Sequence, residues 1–562
     1  MATIGFITVC LLILTTFKLS CSNGIYTLKI PQGELFGSVR QTYNNVTYYS
    51  FQGIPYAEPP LGDLRFKSPK AAKPWNGVLN ATQIRVVCPQ HEPLNKFAVN
   101  VEENENCLFL HIYTKMPLQL QSVMVYIHGG GFQATDKVIF LDPDYFINEN
   151  VVFVTFHYRL SVFGFLSIDD PKYDIPGNAG FKDQILALKW IQQNIKYFGG
   201  DPNSVTIFGE SAGGVSVHLL TLSPLSTGLY NRAISQSGGP TDPWVTSPNT
   251  YRELAVKLNC NLNDLKEIIE CFNDASTSNF MNALRKLSVN KLGEVTIFNT
   301  FVIEKHNTVD PFFAEHPKEI VKSKNYNPVP FIMGFCTDEG LLFVDGFKTA
   351  RNNTLSHEDL VPKHFNLPME TNLLKILGEN ISQVYYGQAN PTFDLLEPTA
   401  EVLTDLMFFN SIYDFANLQF KMFPKNSIWF YEFRYYGRWN EFPNRTTHAD
   451  DLFYLFRPKS IPITNDKNEN TDEAIGRTRL IKLWTSFAKY GDPNSNVIEY
   501  FDNITWKPLE EDKFNYLLIQ PHMEMKIADS NYRHLSFWKS LYEAYNNNNN
   551  NNNYALFSVS ET

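Results

Sequence analysis

Ser211 is the side chain of this sequence with the clearest potential for chemistry, because it lies at the centre of the motif GESAG at residues 209–213. A β-branched, apolar run at residues 205–208 precedes the motif and a small, apolar run follows it. The pattern therefore predicts a strand, a sharp turn and a helix. Such a turn holds a serine in strained geometry with its hydroxyl exposed, and glycines on both sides let neighbouring backbone approach. We interpret Ser211 as a nucleophile.

A glycine-rich loop upstream supplies a second part of the same chemistry. Residues 123–127 have the pattern of a buried strand and are followed by the motif HGGG at residues 128–131. Attack of a serine on an ester carbonyl creates an oxyanion, which backbone N–H groups stabilise, and glycines leave the substrate room to reach them. Loops of this type donate such N–H groups in esterases and lipases. The pair of motifs indicates acyl transfer.

A serine nucleophile also needs a base and an acid that orients the base. His448 stands at the end of a predicted loop, before an aromatic run at residues 452–456 that would hold the loop down. Asp338 and Glu339 follow a strand pattern at residues 329–334. The order serine, acid, histidine along the chain is that of α/β-hydrolases. Spacing alone leaves both carboxylates open as the acid.

Further motifs extend over nearly the whole chain: FQGIPYA at 51–57, PPLG at 59–62, NCLFL at 106–110, GNAGFKDQ at 177–184 and FGGDP at 198–202. In these motifs the sequence resembles the type-B carboxylesterases, the α/β-hydrolases that include cholinesterases and liver-type carboxylesterases. The resemblance implies an α/β fold with a large, mostly parallel central sheet, flanking helices and long insertions. It also implies that Glu339 is the acid, and that the oxyanion N–H groups belong to Gly130, Gly131 and Ala212.

The resemblance implies a serine carboxylic-ester hydrolase. Ser211 would attack the ester, His448 would take its proton and return it to the alcohol, and Glu339 would hold the imidazolium before water hydrolyses the acyl-enzyme. Cholinesterases bind choline with a tryptophan, and the corresponding position here is Phe97, so we expect apolar esters to be preferred. The alternative is a non-catalytic adhesion or storage protein on the same fold.

Composition argues against other classes of function. The net charge of −10 and the absence of a Lys/Arg cluster argue against nucleic-acid binding. The sequence has no CxxC, HExxH or P-loop motif, so we expect neither a metal nor a cofactor, and a small ester as the partner. Residues 128–448 must meet at one site and no linker divides them, which predicts one domain over residues 23–543.

The two termini differ from this predicted domain. Residues 3–17 are uncharged and apolar, so residues 1–22 are predicted to be a signal peptide, with a signal anchor as the alternative. Residues 544–562 contain an asparagine run and are predicted to form a disordered tail, with no stable membrane anchor. We expect the protein to be secreted or to lie in the lumen of the secretory or endosomal pathway.

Export to an oxidising compartment permits disulfides and N-glycans. The resemblance places one disulfide between Cys88 and Cys107, and Cys260 with Cys271 would close a second, shorter loop. Cys336 is left over as a buried free thiol. Sequons for N-glycosylation occur at six positions: Asn45, Asn80, Asn352, Asn380, Asn444 and Asn503.

Two arginines lie in otherwise apolar stretches, where a guanidinium needs a partner. The resemblance offers Glu105 as the partner of Arg65, and Asp183 as the partner of Arg159.

Overall fold

The computed structural model describes residues 21–22, 24–90, 101–135, 143–168, 170–245, 251–288, 300–304, 308–350, 355–362, 372–437, 442–457 and 471–551. The strands in these ranges are β1 (Cys21–Ser22), β2 (Ile25–Ile30), β3 (Gly33–Gln41), β4 (Thr47–Pro55), β5 (Val78–Asn80), β6 (Val86–Val87), β7 (Glu102–Glu103), β8 (Phe109–Thr114), β9 (Gln121–Ile127), β10 (Val152–Phe156), β11 (Gly200–Glu210), β12 (Arg232–Gln236), β13 (Phe331–Cys336), β14 (Ile428–Phe433), β15 (Asn515–Ile519) and β16 (Glu524–Ile527).

The helices in the same ranges are α1 (Asp144–Asn148), α2 (Ser161–Phe165), α3 (Ala179–Asn194), α4 (Ala212–Leu222), α5 (Tyr251–Lys257), α6 (Leu265–Asp274), α7 (Thr277–Ser288), α8 (Pro317–Ser323), α9 (Leu341–Ala350), α10 (Asn372–Tyr386), α11 (Leu396–Thr404), α12 (Asn410–Met422), α13 (Leu452–Leu455), α14 (Asp472–Tyr490) and α15 (Leu535–Asn551).

Among the described strands, fourteen form one sheet in the order β1-β2-β3-β4-β8-β10-β9-β11-β12-β13-β14-β15-β16, with β5 beside β3. Neighbouring strands from β10 to β15 are parallel. The pairs that continue the sheet beyond them, β8 with β10 and β15 with β16, are antiparallel. The parallel centre brings the carboxyl ends of β9, β11, β13 and β14 to one edge of the sheet, where open α/β sheets place their functional groups.

The central strands are apolar because both of their faces are covered. In β9, Val123 and Val125 belong to the apolar cluster on one face of the sheet, whereas Met124 and Tyr126 belong to the cluster on the other. The helices α3 and α4 pack into the first cluster and α14 into the second. This alternation, with helices on both faces, is the arrangement that the sequence predicts for a parallel sheet.

Two further apolar clusters are formed mainly by helices outside the sheet. The helices α5, α6 and α7 supply most of one cluster, and α10 and α11 contribute to the other. These helical segments are the long insertions that the family resemblance implies. The second of them contains the turn between α11 and α12 that contacts the candidate active site.

Ion pairs and disulfides connect segments that are between 11 and 40 residues apart along the chain. Arg65 Nε donates to Glu105 Oε2 at 2.8 Å, and Arg159 Nη2 donates to Asp183 Oδ1 at 2.7 Å. Both predicted pairs are therefore present. The structure also contains both expected disulfides, Cys88–Cys107 and Cys260–Cys271. Cys336 is a buried free thiol, as expected.

The predicted signal peptide and the predicted tail each contribute a few described residues. Cys21 and Ser22, the end of the predicted signal peptide, pair with β2 as β1. The helix α15 continues to Asn551, within the segment 544–562 that is predicted to form a tail. The rest of the predicted signal peptide and residues 552–562 lie outside the described residues. In the described ranges, no helix combines the length and apolar character that crossing a membrane requires.

Candidate active site

Ser211 lies in the sharp turn between β11 and α4. Its backbone has φ 59° and ψ −126°, a conformation that costs a non-glycine residue about 1–3 kcal/mol. The Ser211 N–H donates to the Gln236 carbonyl at 2.9 Å, and the Ser211 carbonyl accepts from Val215 N–H at 2.9 Å. Hydrogen bonds on both sides therefore hold the strained residue in place.

The glycines of the GESAG motif are required by close contact between chain segments. A Cβ atom at Gly209 would lie 2.5 Å from the Ile127 carbonyl oxygen, and one at Gly213 would overlap the same oxygen. A Cβ atom at Gly129 would lie 3.1 Å from Ser211 Cβ. The end of β9 and the loop after it are thus pressed directly against the serine turn.

This loop contains the predicted oxyanion donors. Gly130 and Gly131 have φ values of 105° and 61°, which favour glycine. The Gly130 carbonyl accepts from Gln133 and Ala134 N–H, both at 3.0 Å, so the turn is closed through a carbonyl and not through the glycine N–H groups. Ala212 is the first residue of α4, where an N–H has no acceptor within the helix.

His448 and Glu339 are brought together although they are 109 residues apart. His448 Nδ1 lies 2.5 Å from Glu339 Oε2, and the other Glu339 oxygen accepts from Cys336 N–H at 2.7 Å. Asp338 points elsewhere: it lies 3.5 Å from Arg445 Nη1 and accepts from Thr446 N–H at 3.3 Å. The geometry therefore separates the two carboxylates that spacing left open.

The second nitrogen of the imidazole faces the serine turn. His448 Nε2 lies 3.0 Å from Oε1 of Glu210, the residue before Ser211, and both side chains are buried. Burial lowers the pKa of His448, but the Glu210 and Glu339 carboxylates outweigh it, and the pKa is raised to about 9. Glu210 is a part of the site that sequence analysis did not identify, although its position next to the serine was a signal.

A buried polar group lies behind the imidazole. Asp451 Oδ2 accepts from Gln236 Nε2 at 2.7 Å and from the Tyr431 hydroxyl at 3.3 Å. Trp484 Nε1 donates to Gln236 Oε1 at 3.1 Å. Burial raises the pKa of Asp451 to about 6, and the nearby Glu339 carboxylate adds to this rise. Sequence analysis missed this residue too, since nothing in the run after His448 distinguishes Asp451 from Asp450.

Within the described ranges, no group of three or more His, Cys, Asp or Glu side chains is arranged to hold a metal ion.

The remaining predicted positions are Phe97 and the asparagines of the glycosylation sequons. Phe97 and Asn352 lie outside the described residues. Asn380 is half-buried on α10, and the other sequon asparagines are exposed: Asn45, Asn80, Asn444 and Asn503.

Comparison with known proteins decides the family. The model of the carboxylesterase family matches residues 26–538. The chain belongs to this family. Its carboxylesterase relatives include the juvenile hormone esterase of Tribolium castaneum, which is 34% identical over 90% of this chain and 88% of the relative. Esterase FE4 of Myzus persicae is 31% identical over 90% of this chain and 92% of its own, and acylcarnitine hydrolase of Mus musculus is 32% identical over 90% and 89%.

The fold of this carboxylesterase also matches a solved structure of the family. The crystal structure of juvenile hormone esterase from Manduca sexta, with OTFP covalently attached, superposes with a TM-score of 0.82. The two chains are 26% identical, and the match covers 92% of this chain and 99% of the other. The α/β-hydrolase fold and the assignment as an ester hydrolase are therefore both established.

Proposed function

We propose that the protein hydrolyses apolar carboxylic esters through a triad of Ser211, His448 and Glu339. The observation that carries this proposal is the placement of the imidazole. Glu339 lies 2.5 Å from Nδ1, and the residue next to Ser211 lies 3.0 Å from Nε2. Nε2 is thus directed to the turn that carries the nucleophile, while Nδ1 is held by the acid.

The reaction follows from these positions. His448 Nε2 accepts the proton of the Ser211 hydroxyl as the oxygen attacks the ester carbonyl, and the imidazolium formed is stabilised by Glu339. The N–H groups of Gly130, Gly131 and Ala212 stabilise the oxyanion. His448 then gives its proton to the departing alcohol, which leaves an acyl-enzyme. Water repeats the cycle and releases the acid.

A non-catalytic adhesion or storage role is the alternative on the same fold. Such a role would place no demand on the backbone strain at Ser211 or on a carboxylate that holds His448. Both features are present, and strain of this kind persists where the surrounding structure enforces it. Both features therefore support the triad as the machinery of the ester hydrolysis that the family assignment establishes.

Labelling with a fluorophosphonate tests the proposed nucleophile. We expect a single adduct on the peptide that contains Ser211, formed together with loss of aryl-ester hydrolysis. The Ser211→Ala variant is expected to remain unlabelled. An adduct on another serine, or full hydrolysis after stoichiometric labelling of Ser211, would refute the proposal.

The substrate preference is proposed from the missing tryptophan at position 97. A cation–π contact is worth about 0.5–2 kcal/mol, so the loss of the better ring accounts for about a thirtyfold discrimination at most. We expect a neutral ester to have a higher kcat/KM than the choline ester of the same acid and similar shape. Juvenile hormone belongs in the same panel, since two of the matched relatives are named as its esterases. A preference for the choline ester would contradict this proposal.

We further propose that the protein enters the secretory pathway and carries N-glycans. The apolar segment at residues 3–17, the two disulfides and the four exposed sequons support this proposal. Expression in a eukaryotic secretory host should yield protein in the medium whose mass falls on treatment with an N-glycosidase. Retention in the cytosol with no change in mass would count against it.

A further inference from the structure

A π-helical turn interrupts the helical segment that packs beside the acid and the histidine. The turn, Asp405–Phe409, joins α11 to α12, and its last hydrogen bond runs from Asn410 N–H to the Asp405 carbonyl. A π turn inserts one residue into a helix, which redirects the side chains that follow, and such turns are frequent at functional sites. The side chain that this turn directs to the site is that of Phe408.

Phe408 covers one face of the candidate catalytic imidazole. The ring centroids of Phe408 and His448 are 4.8 Å apart, with 32° between their planes, and Phe408 is 1% exposed. The two carboxylates contact His448 at its ring nitrogens, at the edge of the ring. They therefore restrain the imidazole within its plane, whereas Phe408 restrains its tilt.

Two hydrogen bonds hold the turn and the residue before it. Before the turn, Thr404 Oγ1 accepts at 2.9 Å from the N–H of Gly340, the residue after Glu339. Within it, the Met407 carbonyl accepts from Trp244 Nε1 at 2.9 Å. The first bond connects the segment that carries Phe408 to the loop that carries the acid.

The start of the turn is anchored by charge. Asp405 is fully buried, and its two oxygens lie 2.5 Å from Arg533 Nε and 2.6 Å from the Tyr385 hydroxyl. Removing Arg533 would leave the buried carboxylate without a counter-charge, so the ion pair stabilises this end of the turn. The turn is thus bonded at its start, through Asp405, and in its middle, through Met407, and the residue before it bonds to the acid loop.

We propose that Phe408, held by the π turn, is a positioning residue that keeps the His448 ring in its reactive orientation. The proposal rests on the triad proposed above. It predicts that loss of the aromatic ring lowers kcat for every ester alike, because proton transfer is common to all of them. A ring that only lined the acyl pocket would instead change KM or the preference for acyl length.

Phe409 provides a matched control on the same turn. It is also fully buried, but its ring packs on Phe335, Tyr413 and Tyr532 and not on His448. We compare Phe408→Leu with Phe409→Leu in the full chain, using p-nitrophenyl acetate and butyrate, with Ser211→Ala as the background. A misplacement of about 1 Å costs about a hundredfold, so we expect a tenfold to hundredfold loss of kcat in Phe408→Leu for both esters. Phe409→Leu should stay within about threefold of the wild type.

The pH dependence of kcat/KM gives a second readout that a merely structural role would not move. The ionisable groups that act on His448 are Glu210, Glu339, Asp242 and Asp451. A loosened imidazole makes weaker contact with Glu210 and Glu339, so the acid limb of Phe408→Leu should move to lower pH. The limb of Phe409→Leu should match that of the wild type.

Each outcome decides the proposal. Equal kcat losses in the two leucine variants, or a loss confined to butyrate or to KM, would overturn the positioning role while leaving the triad intact. Wild-type hydrolysis that persists in Ser211→Ala would refute the triad as well. Should Phe408→Leu fail to fold by thermal melting, Phe408→Met, which conserves volume more closely, is compared with Phe409→Met by the same criteria.

Discussion

The serine half of the site, Ser211 and the oxyanion loop, is positioned by backbone contacts. The histidine half, His448 with Glu339 and Phe408, is positioned by contacts between side chains from distant parts of the chain. Ser211 and the oxyanion loop adjoin because β9 and β11 are neighbours and glycines let them touch. His448 reaches Glu339 across 109 residues through one short hydrogen bond, with Phe408 against its face. The first half depends on steric fit and the second on electrostatics and packing, so the two should fail in different ways.

The nucleophile gives the largest expected effect. Ser211→Ala removes the attacking oxygen and leaves the turn intact, so kcat for an aryl ester should fall on the order of a million-fold. The thermal melting curve should be nearly unchanged. A variant that kept a tenth of wild-type activity would show that Ser211 is not the nucleophile.

The acid comes next. Glu339→Gln keeps the shape of the side chain, but the amide cannot stabilise an imidazolium and favours the wrong tautomer, so kcat should fall about 10³–10⁴-fold. Asp338→Asn is the matched control, since Asp338 lies next to Arg445 and Thr446 and not next to the imidazole. Equal losses in the two variants would contradict the assignment of Glu339, and not Asp338, as the acid.

A substitution in the oxyanion loop should lower kcat less than loss of the nucleophile or the acid, and its effect should depend on whether the new side chain displaces the loop. In Gly130→Ala, the new Cβ atom would overlap the Ala134 carbonyl, which displaces the loop, and losing one oxyanion donor costs about 10²–10³-fold in kcat. Gly228→Ala is the control, because Gly228 also has positive φ, 79°, but open space around its Cβ position. Similar activity in both variants would remove the oxyanion role of this loop.

Glu210 should change the pH dependence more than the maximal rate. The carboxylate stabilises the charged imidazole, so the acid limb of kcat/KM in the wild type should lie above pH ~6.5, toward the raised pKa of about 9 for His448. Glu210→Gln removes that charge, lowers the pKa of His448 and moves the limb to lower pH. The measurement is a pH profile on a non-ionising ester. A limb that stays in place would show that Glu210 does not act on the imidazole.

The serine half was predictable because its signals are local. The strand, turn and helix around Ser211 can be predicted from the motif and the residues next to it. The glycine-rich loop before Phe132 can likewise be predicted from a few neighbouring residues. The choice between Asp338 and Glu339 could not be made from spacing, since both follow the same strand. It depends on where a residue 109 positions later lies.

The features that sequence analysis missed all depend on contacts between distant segments. The π turn and the residue before it form hydrogen bonds with Trp244, Arg533 and the acid loop, none of which lies near the turn in sequence. The helix α15 begins with buried anchors such as Trp538 and Leu541, and it continues to Asn551 although asparagine is a poor helix former. The composition of the asparagine run gives no signal for the residue at which the helix ends.

The pairing of Asp405 with Arg533 also has a consequence for biosynthesis. On the ribosome, Asp405 is translated 128 residues before Arg533, its partner in the ion pair. Removing one partner of a buried ion pair destabilises a folded protein by about 3–5 kcal/mol. The ion pair that anchors the turn beside the active site can therefore form only after residue 533 has been translated. A chain that ends before Arg533 lacks this ion pair and is expected to be inactive.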